Sequence, residues 1–179
     1  KTHAYGGITI SANAGSVAGS GTVTHDGEMS SEYYSEGFVS IYADRNININ
    51  GKITDESDQY DRGIRLQAGS DKTASLGGNI VLGIGADLVA NYIYADALAG
   101  SEASTGNISQ AGGKIDANQF VSITADRDVT LNGSVGHVGS YGYSNTDVQI
   151  TAGVSRWRGG IHSETSLGGN ILLEANSSI

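Results

Sequence analysis

The sequence contains no cysteine and no proline, and it has ten basic residues against 19 acidic ones. Without cysteine, the chain cannot form a disulfide scaffold, a thiolate zinc site or a cysteine nucleophile. The formal net charge of −9 has the wrong sign for binding nucleic-acid phosphates or anionic lipids, so we expect no nucleic-acid partner. Apolar runs are only a few residues long and too short to span a bilayer, so we expect no membrane insertion.

Glycine, in contrast, is abundant, and the chain repeats itself over a long period. FVSIYADRNININGKI from Phe38 returns without a gap as FVSITADRDVTLNGSV from Phe120. SLGGNIVL from Ser75 returns as SLGGNILL from Ser166, and the displacement between these two copies is larger. Insertions between constant segments are typical of loops on a repetitive scaffold.

A shorter unit of alternating apolar residues that ends in alanine recurs within the long repeats. Its members are ITISA, VSIYA, IRLQA, VSITA, VQITA and, more loosely, ILLEA, which begin at Ile8, Val39, Ile64, Val121, Val148 and Ile171. Period-two alternation rich in β-branched residues is typical of a half-buried strand. One gap between successive alanines is twice as wide as the others, so we expect another strand there, at NIVLG or at the NYIYA around Tyr94.

The spacing of these units predicts an all-β fold. About 25 residues per unit is the size of one coil of a parallel β-helix, or β-solenoid, so we expect about seven irregular coils with loop inserts. We interpret residues 1–179 as a single segment of a longer solenoid, with long repeats at 38–119 and 120–179. A helix is possible over the alanine-rich stretch from Ala86, but its apolar residues also alternate as in a strand.

Polar corner residues are predicted to hold neighbouring coils together. Asn79, Asn107 and Asn170 each follow a glycine, where their amides would stack as ladders or satisfy backbone groups. Alanines such as Ala43 and Ala125 mark bends where only a small side chain fits.

These motifs carry a resemblance to a known family. GGNIxL and ADRxIxLNGxI, with ITISA and VSITA strands between them, resemble the repeat region of filamentous haemagglutinin-type exoproteins, large adhesins exported by two-partner secretion. The resemblance covers most of the chain from Gly6 to Ile179. It implies a right-handed parallel β-helix with an adhesive, cell-surface role on a Gram-negative bacterium. It also implies an outer-membrane two-partner transporter as the partner during export.

Carboxylates that share a repeat position lie too far apart for one enzyme site. Asp44 and Asp126 correspond, as do Arg45 and Arg127, but the members of each pair are one long repeat apart. That separation is three coils, or roughly 15 Å along the solenoid axis. We therefore interpret the Asp-Arg pairs as corners whose charges face water or pair locally, and we expect no catalytic residue.

The acidic stretch 55–61 is a candidate metal site. Asp55, Asp58 and Asp61 offer oxygen ligands to calcium at extracellular concentrations, although the stretch lacks the DxDxDG order of a formed site. A solvated acidic loop is the favoured alternative, and we expect no other cofactor. The histidines lack the spacing of zinc ligands; they are His3, His25, His137 and His162.

Aromatic residues in two inserts are the predicted contact residues. The insert GVSRWRGGIHSE contains the only tryptophan, Trp157, between Arg156 and Arg158, and these residue types are enriched at interface hot spots. Trp157 would otherwise cover an apolar rung. Tyr141 and Tyr143 lie in another insert rich in glycine and serine. Exposed together, these residues would suit a glycan or a partner protein.

Three functions follow from this interpretation. The leading one is a secreted, non-enzymatic structural and adhesive β-helix that binds cell-surface glycans or proteins of a host or a neighbouring cell through its inserts. The second is a self-assembling extracellular fibre subunit with end-to-end self-association, because neither end of the sequence reads as a cap. The third is a polysaccharide-processing β-helix enzyme or a phage tailspike module.

Overall fold

The computed structural model describes residues 1–15, 20–32, 37–56, 62–69, 76–100, 104–136, 147–153 and 168–179. These residues contain 16 β-strands and no helix. The first eight strands are β1 (Thr2–Tyr5), β2 (Gly7–Ala12), β3 (Val23–His25), β4 (Glu28–Glu32), β5 (Phe38–Ala43), β6 (Ile47–Ile49), β7 (Lys52–Asp55) and β8 (Ile64–Ala68). The others are β9 (Ile80–Leu82), β10 (Asp87–Ala97), β11 (Ile108–Gln110), β12 (Lys114–Ala125), β13 (Val129–Leu131), β14 (Ser134–Gly136), β15 (Asp147–Ala152) and β16 (Ile171–Leu173).

The strands stack in parallel as three ladders. The first ladder contains β1, β4, β7, the first half of β10, the first half of β12, and β14. The second contains β2, β5, β8, the second halves of β10 and β12, and β15. The third contains β3, β6, β9, β11, β13 and β16. Each coil supplies one strand to each ladder, which confirms the predicted parallel β-solenoid.

The coils number six rather than about seven. Along the second ladder, Ile8 pairs with Val39 of the next coil, and Val39 pairs with Ile64 of the coil after it. The step from Ile8 to Val39 contains more residues than the step from Val39 to Ile64. Most coils contain more than the predicted 25 or so residues, because the connections between their strands are longer than expected. The missing strand is NYIYA: Ile93 of β10 pairs with Ile64 of β8 and with Val121 of β12. β10 is a strand over its whole length, so the helical alternative from Ala86 is wrong.

The alanine-ended units form the second ladder, with one correction. The alanines of the other units are register partners, and Ala97, two residues beyond NYIYA, completes their column. The column contains Ala12, Ala43, Ala68, Ala97, Ala125 and Ala152. ILLEA does not belong to this ladder, because Ile171–Leu173 pairs with Val129–Leu131 in the third ladder. A three-residue strand carries the same apolar-polar-apolar pattern as the start of a longer one, so alternation alone did not separate them.

Side chains that point into the solenoid form one apolar core. Val39, Ile41 and Leu66 are fully buried, and so are Ile47 and Ile80 of the third ladder. Inward positions of successive coils lie about 4.8 Å apart, so each ladder stacks continuous columns of Ile, Leu and Val. Proline would remove a backbone donor that the adjacent coil needs, which accounts for its absence from the sequence.

A column of Asn and Asp side chains joins the coils where the third ladder begins. The backbone N–H of Asn79 donates to Asn46 Oδ1 at 2.9 Å, and that of Asn107 donates to Asn79 Oδ1 at 3.0 Å. The Asp128 N–H donates to Asn107 Oδ1 at 3.2 Å, and the Asn170 N–H donates to Asp128 Oδ1 at 2.8 Å. The predicted amide ladder is thus confirmed, and it also includes Asn46 and Asp128.

The connections between the ladders differ by corner. The third corner, which leads from the third ladder to the first ladder of the next coil, has two to four residues in each of its five occurrences between described strands. The first corner precedes the second ladder and the second corner follows it. The longest connection at the first corner runs from β14 to β15, and the longest at the second corner runs from β15 to β16. The long connections therefore all lie at the two ends of second-ladder strands.

Candidate functional site

The outer face of the second ladder carries most of the described aromatic side chains that point away from the core. Alternation along β5 places Phe38, Ser40 and Tyr42 on this face, while Val39 and Ile41 point inward. In β10 and β12, Tyr94 and Phe120 lie on the same face, with ring centroids 5.7 Å apart and planes tilted by 53°. Because side chains alternate along each strand, the residues between the buried ones all lie together on the outer face.

A shallow groove of about 350 Å³ lies on this face. Its volume is at the low end of the roughly 300–1,000 Å³ typical of small-molecule sites. We refer to it as the aromatic groove, and it is lined by Phe38, Ser40, Tyr42, Arg62, Gly63, Ile64, Arg65, Tyr94 and Asp96.

Two glycines shape the aromatic groove. A Cβ on Gly7 would lie 2.1 Å from Phe38 Cε1, so the absence of a side chain lets the Phe38 ring lie over the first coil. Gly63 follows Phe38 in the same column, since the Val39 N–H donates to the Gly63 carbonyl at 2.9 Å. Its φ of +152° and its close approach to the Tyr92 carbonyl exclude a side chain there. This missing side chain leaves a gap in the outer column between Phe38 and Tyr92.

The charge within the aromatic groove is positive in an acidic chain. Arg65 is exposed on β8, where its register partners are Ser40 and Tyr94. Arg62 is partly buried just before that strand, and Asp96 is the one carboxylate of the lining. Neither guanidinium has a hydrogen bond or an ion pair within the part of the chain that the structure describes.

The predicted contact residues lie outside the described residues. Tyr141 and Tyr143 belong to the connection from β14 to β15, and Arg156, Trp157 and Arg158 belong to the connection from β15 to β16. Both connections adjoin β15, which is a strand of the second ladder. Their assignment as contact residues stays a prediction, but the topology attaches them to the ladder that carries the aromatic groove.

The calcium prediction is only partly within the described residues. Asp55 is the last residue of β7 and is 3% exposed, with Ser31 of β4 as its register partner. The expected solvated loop does not include Asp55, because the alternation of KITD continues to the strand end and turns this carboxylate inward. Asp58 and Asp61 lie outside the described residues. Among those described, no three His, Asp or Glu side chains cluster as a metal site, and the calcium assignment stays a prediction.

The repeated Asp-Arg pairs are hydrogen-bonded corners. Asp44 Oδ2 accepts from the Ala14 N–H, and Asp126 Oδ2 accepts from the Ala99 N–H, each at 2.9 Å. In both cases the carboxylate follows a second-ladder strand and reaches the long connection of the preceding coil. Asp44 and Asp126 lie three coils apart, as the repeat predicted. These hydrogen bonds hold the start of each connection against the second ladder.

The residues of the aromatic groove were not predicted from the sequence. Arg62, Arg65 and Asp96 attracted no prediction, and Phe38 and Tyr94 were used only to recognise strands. A signal was present for three of them, because Phe38, Arg65 and Tyr94 occupy outward places of FVSIYA, IRLQA and NYIYA. Aligning those units place by place would have brought them together.

Comparisons of the chain with protein-family models, with curated proteins and with solved structures find no match. The likeness to haemagglutinin-type repeats therefore stays a prediction from the motifs. The described residues include no helix that is long and apolar enough to cross a membrane.

Proposed function

We propose that this protein is a secreted or cell-surface adhesive β-solenoid, in which the coils form a stiff scaffold and the outer face of the second ladder contacts a glycan or protein ligand. The observation that carries the proposal is the coincidence, on one ladder, of the aromatic groove and the long connections. Binding residues are commonly found on loops that a rigid scaffold positions.

The outer face of the third ladder offers a direct contrast. Its outward column is Thr24, Asn48, Val81, Ser109, Thr130 and Leu172. No aromatic or charged side chain occurs in this column, and the third corner beside it is short in each of its five occurrences between described strands. Aromatic and arginine side chains are enriched at protein interfaces, and Trp, Tyr and Arg are enriched among the hot spots. The second ladder is therefore the favoured contact face.

Site-specific labelling tests the proposal, because the chain has no cysteine of its own. Ser122 lies on the outer face of the second ladder, and Ser109 lies on that of the third. Both serines are partly buried. We would prepare Ser122→Cys and Ser109→Cys separately, attach the same polyethylene glycol maleimide to each, and measure retention on cell surfaces and on glycan arrays.

We expect the label at position 122 to reduce binding at least tenfold and the label at position 109 to leave binding unchanged. Circular dichroism would verify that both conjugates keep the β-sheet spectrum. Equal loss from the two labels, or loss only at position 109, would contradict the assignment of the contact face.

A further inference from the structure

The shape of the aromatic groove suits a ring-shaped ligand with polar edges. Phe38 and Tyr42 stand on the same face of β5, four residues and so about 13 Å apart. Ser40 lies between them, and the bare backbone of Gly63 forms the floor beside Phe38. The groove therefore has apolar walls, a hydroxyl and an open floor. Pyranose rings, with apolar C–H faces and hydroxyl edges, complement such a lining.

The position of the groove disfavours an extended peptide as its ligand. Peptides that bind to β-sheets usually add a strand at a free edge, where main-chain hydrogen bonds supply the affinity. The groove lies on a sheet face instead, and β5 and β8 are each paired with strands on both sides. Their backbone groups are already used in the ladder, so recognition must come from side chains.

The charge of the groove selects an anion. Arg65 projects from the centre of the face beside Ser40 and Tyr94, and Arg62 lies at its margin. A guanidinium can hold a carboxylate through two parallel hydrogen bonds, which gives geometric specificity as well as energy. Asp96 is the single carboxylate of the lining and is suited to accept hydrogen bonds from sugar hydroxyls.

From this juxtaposition we propose that the aromatic groove binds a carboxylated sugar, such as a hexuronate unit of an acidic polysaccharide. Arg65 holds the carboxylate, Phe38 and Tyr42 flank the ring, and Asp96 accepts from its hydroxyls. The proposal rests on the proposed function, because it names the ligand class of the same face.

Isothermal titration calorimetry at low salt would test the ligand class with two matched probes, trigalacturonic acid and its fully methyl-esterified form. The esters keep the rings and remove the charges. We expect the acid to bind and the ester to bind at least tenfold more weakly. Equal affinity for acid and ester would overturn the role of the carboxylate, and tight binding of a hexaglutamate peptide would overturn the preference for a sugar.

Variants assign the roles of the residues. Arg65→Gln should weaken binding of the acid about tenfold and leave binding of the ester unchanged. Lys52→Gln is its matched control, because it removes one exposed positive charge from the first ladder. Tyr42→Ala should weaken both probes, and Tyr42→Phe should restore them because the ring is kept. An Arg65→Gln effect no larger than that of Lys52→Gln would overturn the assignment.

Competition separates the failure of this proposal from that of the proposed function. If the label at position 122 blocks cell or array binding but trigalacturonic acid neither binds nor competes, the contact face stands and the sugar class is wrong. If that label blocks nothing and trigalacturonic acid does not bind, both proposals are wrong.

Discussion

The third corner differs from the first and second corners, which are the connections on either side of each second-ladder strand. The third corner turns in two to four residues wherever it joins described strands. Where connections are present beside the second ladder, they vary from the single residue Gly6 to the whole segment between Ala152 and Ile171. In β10 and β12 the first corner has no connection at all, because one strand runs through both ladders. The molecule therefore keeps one edge constant and places its variation beside one face.

Packing accounts for the constant edge. At the third corner, the Asn50 N–H donates to the His25 carbonyl at 2.8 Å, and Asn50 Nδ2 donates to Asp26 Oδ1 at 2.7 Å. Consecutive turns lie directly on one another, so a long insertion in one would displace the next. The second corner instead ends at the Asn and Asp column. Its hydrogen bonds fix the register between the third-ladder strands of successive coils, whatever the length of the connection before them. Length can vary there without disturbing the ladder.

The largest expected effect comes from filling the space between two stacked third corners. A Cβ on Gly51 would lie 2.0 Å from the Gly27 carbonyl oxygen, whereas a Cβ on Gly27 meets nothing within 4 Å. Neither glycine has a left-handed φ, so the two differ in space alone. We expect Gly51→Ala to lower the free energy of unfolding by about 3 kcal/mol. We expect Gly27→Ala to change it by less than about 0.5 kcal/mol.

Urea denaturation followed by circular dichroism would measure both glycine variants. Equal and small losses in the free energy of unfolding would show that the third corner can accommodate a side chain at position 51. Tight packing would then not explain why the third corner varies less in length than the first and second corners.

A smaller effect is expected at the Asn and Asp column. Asn107→Ala removes the acceptor of the Asp128 N–H, together with an amide that donates to Asn79 Oδ1 at 3.1 Å and to the Ser104 carbonyl at 2.9 Å. Of the partners left unpaired, Asn79 is half-buried and Asp128 and Ser104 are exposed, so we expect a loss of about 1.5 kcal/mol in the free energy of unfolding.

Asp128→Asn is the matched control for Asn107→Ala. It keeps an oxygen to accept from the Asn170 N–H, so we expect a change within about 0.5 kcal/mol in the same urea titration. If Asp128→Asn destabilises as much as Asn107→Ala, the column depends on charge rather than on its hydrogen bonds, and its role in absorbing length variation would need another explanation.

Much of the fold is predictable because each coil repeats one local pattern. Alternating Ile and Val followed by Ala places Val39, Ile41 and Ala43 in the core from the sequence alone, and the equivalent units follow. Three-residue strands carry too little pattern to be assigned in this way. Ile171–Leu173 was therefore given to the wrong ladder, and Asn46 and Asp128, which precede such strands, were not recognised as members of the column.

The candidate site is less predictable because it is formed across coils. Ser40, Arg65 and Tyr94 come from three strands, and their proximity depends on the register between residues that are a whole coil apart in the sequence. Sequence reasoning instead favoured Trp157, whose residue type alone suggests an interface. The sequence alone does not show that Arg65 lies beside aromatic side chains, because its neighbours on the outer face come from other coils and are known only once the strands are paired.

Register between coils also determines a column of alternating charge, which lies directly after the third corner. The first residues of successive first-ladder strands after the third corner are Glu28, Lys52, Asp87 and Lys114, and each is the register partner of the next. Above them, Lys1 Nζ lies 3.3 Å from Glu28 Oε2. Opposite charges that face one another across strands favour this pairing, and like charges oppose it.

The smallest expected effect tests whether this column helps to fix the register. Lys52→Glu would place a third carboxylate between Glu28 and Asp87. Because these side chains are at the surface, we expect a loss of only about 1 kcal/mol in the free energy of unfolding at low salt. Since salt screens exposed charges, the loss should shrink in about 1 M sodium chloride, where the Debye length is about 3 Å. Lys52→Gln should cost less than half as much. A loss that is unchanged by salt would mean that the Lys52 side chain acts through packing, and the constant edge would then depend on shape alone.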